Sequence, residues 1–253
     1  MFETITVNLV FGYILVLCRI GSTMMLLPGI GEQHISPRIR AMLAVGVSLI
    51  IFPLAQSKIP QLPTSHFALI LLTFGEIIIG FFMGMMIRII ISTLHIAGQV
   101  ISFQAGLAQA TLFDPSQGTQ GSLIGTFLTL LSTLIMFSTN LHHVFFYGLI
   151  DSYTLFPPNG GPDINLFSSA ITDTVAQSFL MGFKIASPQI IIGLLTYLAA
   201  GIMGRLMPQM QVFFVIIPVK IVIGYVILLL TLSLTMTWYM DYFRTSLLPL
   251  RAF

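Results

Sequence analysis

The sequence predicts an all-α membrane protein of about six hydrophobic, partly kinked helices, and three observations predict it. Of its 253 residues, 56% are hydrophobic and only 7% are charged, against roughly 25% charged in soluble domains, so too few charges exist to dress a water-facing surface. The apolar residues fall in long runs, such as Phe67 to Ile79 and Val222 to Leu230, where a soluble amphipathic helix would be interrupted every few positions. Nothing between the runs is long or polar enough to form a separate soluble module.

At about 1.5 Å per residue, roughly 20 apolar residues cross a bilayer core. Windows of that kind place helices near 7–27, 41–55, 67–92, 122–150, 175–202 and 211–240. The first is expected to be retained, because Met1-Phe2-Glu3-Thr4 lacks the basic stretch that precedes a signal-peptide core. The second is short, set by Pro37 before it and Pro53 in its last turn. Turn chemistry separates the runs at Pro28-Gly29-Ile30-Gly31, Pro60-Gln61-Leu62-Pro63, Gly118-Thr119-Gln120-Gly121 and Pro157 through Pro162. Arg38, Arg40 and Arg205 put 28–40 and 203–210 on the cytoplasmic side, and Asp151, Asp163 and Asp173 put a long loop, 151–173, outside. Lys58, Arg244 and Arg251 vote against that orientation.

Formal net charge is only +2 and the ten Lys and Arg are dispersed, so no basic stripe exists to follow nucleic-acid phosphates. Cys18, the single cysteine, excludes an intrachain disulfide and reads as a small buried hydrophobe. Catalysis has no signature: there is no His-Glu-x-x-His, no Gly-x-Ser-x-Gly and no phosphate-binding Gly-x-x-x-x-Gly-Lys. His142 and His143 are adjacent and so do not share a helix face as metal ligands would. No catalytic, cofactor or metal residue is assigned.

Arg19, Glu76, Arg88, Lys184 and Lys220 fall inside the hydrophobic runs, where a charge at a helix centre costs roughly 2.5–3.5 kcal/mol on insertion scales. Arg88, near a run's end, is expected to snorkel, whereas Glu76 and Lys220 are flanked by apolar residues on both sides. Three readings stand: structural ion pairs, a proton or ion path, or helices that meet other subunits or water rather than lipid. Pro188 and Pro218 favour the third, since each removes a helical hydrogen bond inside an apolar run. Gly80 and Gly84, with Gly75 nearby, have the small-xxx-small spacing that admits a second helix, and Gly193, Gly201 and Gly204 repeat the theme. The 14 methionines read as packing that adapts to irregular surfaces.

The segment 98–121 is too polar to face lipid and too apolar for a plain linker. Its Gln99, Gln104, Gln109 and Gln117 can hydrogen-bond water or peptide, and Phe113 can close a gap without charge. It suits a constriction, with an ordinary inter-helix loop as the alternative.

The stretch Gly201-Ile-Met-Gly-Arg205-Leu-Met-Pro208-Gln209-Met210-Gln-Val212-Phe213 through Pro218-Val-Lys220 resembles the FliR/SctT family of type III secretion proteins. Pro37 with Arg38 and Arg40, Gly75-Glu76 with Gly80 and Gly84, and Gly98-Gln99 through Gln104-Ala-Gly106 to Asp114-Pro115 extend the resemblance over nearly the whole chain, towards the flagellar branch. The resemblance implies helical hairpins assembled with FliP-like and FliQ-like subunits, and an FlhB-like switch protein, into a helical export gate. That gate would sit in the bacterial inner membrane at the flagellar basal body and pass unfolded flagellar proteins. It implies a FliP-like part, 1–174, with a pore plug at about 106–121 comprising Gly106, Leu107, Leu112, Phe113, Asp114 and Pro115. It further implies a FliQ-like hairpin, 175–240, with a cytoplasmic tip at Arg205, Pro208, Gln209 and Met210. A secondary transporter using broken helices and Glu76 is the main rival; an intramembrane enzyme is disfavoured by the missing motifs.

Overall fold

In a computed structural model the residues described are 2–32, 35–107, 122–207, 209 and 212–247, and among them the regular structure is helical. The helices are α1 (Phe2–Met24), α2 (Pro37–Ala55, followed by a 3-10 turn at Gln56–Lys58), α3 (His66–Gln104), α4 (Leu123–Ser138), α5 (His142–Leu155), α6 (Ile164–Leu206) and α7 (Val212–Leu247). Five are long and apolar enough to cross a membrane, or six if α4 and α5 are the halves of one broken span. The expected fold class and number of hydrophobic segments therefore hold.

Three boundaries differ from expectation. α3 runs 39 residues to Gln104, taking in residues assigned above to the amide-rich segment. Gly98 and Gln104 are tolerated there because they face protein: Gly98 meets Gly125, and Gln104 meets Gly193. The run 122–150 is broken at 139–141 rather than continuous. Asn140 adopts a left-handed φ of 58°, and its N–H donates to Phe137 O at 3.3 Å, closing the last turn of α4. The loop expected at 151–173 shrinks to 156–163, because α6 begins at Ile164. Asp163, read above as a charge marking an outside loop, is the N-cap: its Oδ1 accepts from the N–H groups of Asn165 at 3.1 Å and Leu166 at 3.2 Å.

The chain divides into two compact units: 1–90 with 136–175 and 244–253, and 91–135 with 176–243. In the first, α1 packs against the first half of α3 at Gly80 and Gly84. A Cβ on Gly80 would lie 2.1 Å from Arg19 O, and one on Gly84 would lie 2.8 Å from Leu26 Cβ; Thr23 Oγ1 donates to Gly80 O at 2.9 Å. The small-xxx-small spacing thus marks the seat of α1. Tyr13 ties α1 to α2 through Val45 O at 3.2 Å and an edge-on ring contact with Phe52. Phe82 stacks on Phe167 with centroids 4.0 Å apart, and Phe156 meets both edge-on, seating the first turns of α6.

In the second unit the later parts of α6 and α7 form an antiparallel pair. Ser178 bonds Tyr242, Gln189 lies at Gly224, and Tyr197 meets Lys220, so position falls along α7 as it rises along α6. The end of α3 lies beside α6 in the same unit, where Gly182 meets Thr93 and Ile96.

Candidate functional site

Among the expected interior charges, Glu76 is buried at 1% exposure, and its partner is Arg19, buried at 0%. The pair is bidentate: Arg19 Nε donates to Glu76 Oε2 at 2.6 Å and Nη2 to Oε1 at 2.8 Å. Nη1 donates to Ser152 O at 3.0 Å and Ser152 Oγ at 3.2 Å, and Nη2 also donates to Phe156 O at 2.8 Å. A guanidinium has five N–H donors, and each has an acceptor here. The Tyr153 ring lies 4.2 Å from the guanidinium carbon, adding a cation–π face. Two of the acceptors are carbonyls at the carboxyl end of α5, so Arg19 also caps that helix, where the backbone dipole favours a cation. The cluster joins α1, α3 and α5. It leaves neither Glu76 nor Arg19 free to bind a solute, which removes Glu76 from the features on which the transporter rival rested.

The other charges divide. Arg88 and Lys184 are exposed, Arg88 as its place near a run's end leads one to expect. Lys220 is 5% exposed; its Nζ sits 3.8 Å from the Tyr197 ring centre and has no hydrogen-bond partner among the described residues. Of the expected plug residues, Gly106 and Leu107 are described, while Leu112, Phe113, Asp114 and Pro115 lie outside the described residues. Gly106 ends α3 with a φ of 79°, a left-handed conformation that glycine adopts without steric cost. A Cβ there would lie 3.7 Å from Lys220 Cδ, so the cation sits beside the point where the chain leaves α3. Gln104 Oε1, also buried without a hydrogen-bond partner among the described residues, packs against Gly193.

Where the chain returns, Ser122 begins α4. Its Oγ accepts from Gly125 N–H at 3.1 Å, donates to Gly98 O at 2.8 Å, and lies 2.6 Å from Ser102 Oγ. Beside it Gly98 and Gly125 touch backbone to backbone: a Cβ on Gly98 would fall 2.2 Å from Gly125 Cα. Ser122 was not singled out from the sequence, although a serine directly before an apolar run is a helix-start signal. Ser152 carried no such signal. At the expected hairpin tip, Arg205 lies in the exposed last turn of α6 and Gln209 is an exposed turn residue; Pro208 and Met210 lie outside the described residues. Among the described residues no cluster of His, Cys, Asp or Glu could hold a metal.

Among the described residues, membrane-length helices, a buried ion pair and a glycine–serine seam give architecture without a reaction centre, and comparison with known proteins agrees with that. Residues 10–246 match the model of bacterial export proteins, family 1. The chain belongs to this family. Among its relatives, the flagellar biosynthetic protein FliR of Caulobacter vibrioides is 36% identical over 225 residues, covering 88% of this chain and 90% of that one. FliR of Aquifex aeolicus is 32% identical over 230 residues, 89% and 88% of the two chains. FliR of Bacillus subtilis is 30% identical over 232 residues, 90% and 88%. As a member of the export family, the chain is a membrane component of an export apparatus, structural rather than enzymatic.

Proposed function

We propose that this chain is a subunit of the flagellar type III export gate. With FliP-like and FliQ-like subunits, and engaged by an FlhB-like protein, it forms the inner-membrane channel through which unfolded flagellar proteins leave the cytoplasm. The family match over 10–246, with relatives named FliR, carries this reading. The α6–α7 pair supports a FliQ-like hairpin at about 175–240, and the buried Lys220, whose ammonium meets the Tyr197 ring but has no hydrogen-bond acceptor among the described residues, supports helices whose charges find their acceptors in other subunits.

In this reading residues 106–121 plug the closed pore. A passage wide enough for an unfolded chain conducts ions unless something fills it, and an apolar constriction seals by dewetting, with no charge to grip passing protein. Phe113 is the side chain of the segment best suited to that task. Shortening 106–121, or Phe113→Ala, is expected to leave the assembled complex at parental levels while raising entry of ions and small dyes severalfold. Dye uptake measured beside the amount of purified complex checks this. Unchanged permeability in fully assembled complexes would remove the plug assignment, and loss of uptake of one solute without a general leak would restore the transporter reading.

The hairpin tip is expected to face the cytoplasm, from Arg205 in the last turn of α6 and the exposed Gln209. In a background with Cys18→Ser, a cysteine at position 209 should react with a membrane-impermeant maleimide in inverted vesicles and not in spheroplasts. The opposite pattern would reverse the orientation.

A further inference from the structure

The two ends of the proposed plug segment are fastened to each other by the α3–α4 seam, and the chemistry of that seam bears on how a gate can open. Ser102 O–H donates to Ser122 Oγ, Ser122 O–H donates to Gly98 O, and Gly125 N–H donates to Ser122 Oγ, at 2.6, 2.8 and 3.1 Å. One hydroxyl therefore serves three partners, using its single proton and both lone pairs. The Gly98 and Gly125 backbones are in direct contact, leaving no room for a side chain between the helices. Ser102 is 9% exposed. Parting α3 from α4 would take from the Ser122 O–H its acceptor at Gly98 O and from the Ser102 O–H its acceptor at Ser122 Oγ, a penalty that accumulates with each unpaired group, while the Gly125 N–H bond, which lies within the first turn of α4, would be kept. It would also forfeit the close backbone packing on which small-residue helix seams depend.

We propose that the α3–α4 seam stays closed while protein passes, so that Gly98, Ser102, Ser122 and Gly125 form a fixed frame and the gate does not open by separating these helices. The proposal rests on the export reading above, and its test separates the two. In full-length chain with Cys18→Ser, expressed with its native partner subunits, Ser102→Cys and Ser122→Cys are introduced together. The 2.6 Å between the two Oγ atoms is within about 0.6 Å of a disulfide's S–S length, so mild oxidation should cross-link them.

Hook protein released to the medium is expected to remain within twofold of the reduced control once most of the chain is cross-linked. Export that stops on oxidation and resumes with reductant would overturn the proposal. The single variant Ser102→Cys gives a second readout that does not need the double substitution to fold. Maleimide labelling of that cysteine should stay at background in idle and exporting cells alike, and labelling that appears only during export would also overturn the proposal. Should the double variant export in neither redox state, the single-cysteine result decides. Continued export in a strain lacking this chain would instead sink the export reading itself.

Discussion

Glu76→Ala is expected to lower the amount of chain in the membrane to below a tenth of the parent. The substitution leaves the Arg19 guanidinium at 0% exposure with two of its five donors unmatched. Removing one partner of a buried pair costs on the order of 3–5 kcal/mol, since the remaining charge stays desolvated. Arg19→Lys is expected to do little better, because an ammonium offers three donors on a point charge where five acceptor contacts are laid out for a planar fork. Exchanging the two residues should not rescue either defect. A carboxylate at position 19 would face the carbonyls of Ser152 and Phe156, which accept hydrogen bonds from Arg19 at 3.0 and 2.8 Å and would repel an anion. Replacing both charges with apolar residues, Arg19→Met with Glu76→Leu, should recover part of the loss, the shortfall reflecting the uncapped end of α5. Quantitative immunoblots of membrane fractions, with the parent complex as standard, distinguish these outcomes. A Glu76→Ala chain at parental level would show that the pair does not hold α1, α3 and α5 together.

Gly80→Val and Gly98→Val are expected to be nearly as severe, for a reason that involves no charge. At Gly80 the new Cβ would sit 2.1 Å from a backbone carbonyl oxygen of α1, and at Gly98 it would sit 2.2 Å from a backbone Cα of α4. Neither neighbour can rotate aside as a side-chain tip would, so the helices must separate. Overpacking typically costs about 1–3 kcal/mol, and contacts with backbone belong at the upper end or beyond it. At Gly80 the separation also pulls on the bond from Thr23 to the Gly80 carbonyl and on Arg19 itself. Gly46 and Gly201 supply the contrast, since nothing lies within 4 Å of a Cβ added to either. Alanine there should be neutral or should stabilise by up to about 1 kcal/mol through helix propensity. Co-purification of each variant with its partner subunits measures the difference. Equal yields from the Gly80 and Gly46 variants would mean that the α1–α3 approach is not required.

The hydrophobic architecture was legible because long apolar runs and scarce charge are visible without knowing any contact. The seat of α1 was legible in the spacing of Gly80 and Gly84, though not which helix would occupy it. Glu76 announced itself as needing a base, but four bases lay inside the hydrophobic runs, three of them in runs other than its own, and choosing Arg19 required knowing that α1 lies along α3. The acceptors Ser152 and Phe156 left no trace, since a carbonyl is present at every residue and only the fold selects the two at the end of α5. The boundary at 98–104 was misread because small and amide residues look loop-like when their partners are unknown. In a helix packed on protein they are what fits against Gly125 and Gly193. Asp163 carried a second role that its charge did not disclose: counted for orientation from the sequence, it also caps the first turn of α6. The expected plug carries its meaning in Phe113 and its neighbours, which lie outside the described residues, while Gly106 and Leu107, the two described members of that set, follow closely on the end of α3.

The 39 residues of α3 also bear on hydrophobic mismatch. At about 1.5 Å per residue α3 is roughly 58 Å long, nearly twice a bilayer's hydrocarbon thickness of about 30 Å. Even a tilt of about 40°, the upper end for membrane helices, leaves a projection of roughly 45 Å. At a fraction of a kcal/mol for each ångström of excess, no tilt within that range lets lipid alone cover the helix at low cost. Phe67, Ile70 and Leu71 at one end and Phe103 at the other are exposed and apolar, so whichever end leaves the hydrocarbon still needs a nonaqueous surface. In the export-gate reading proposed above, a freshly inserted subunit is therefore held away from its free-energy minimum by the thickness of the membrane, and association with other chains would be the step that releases it.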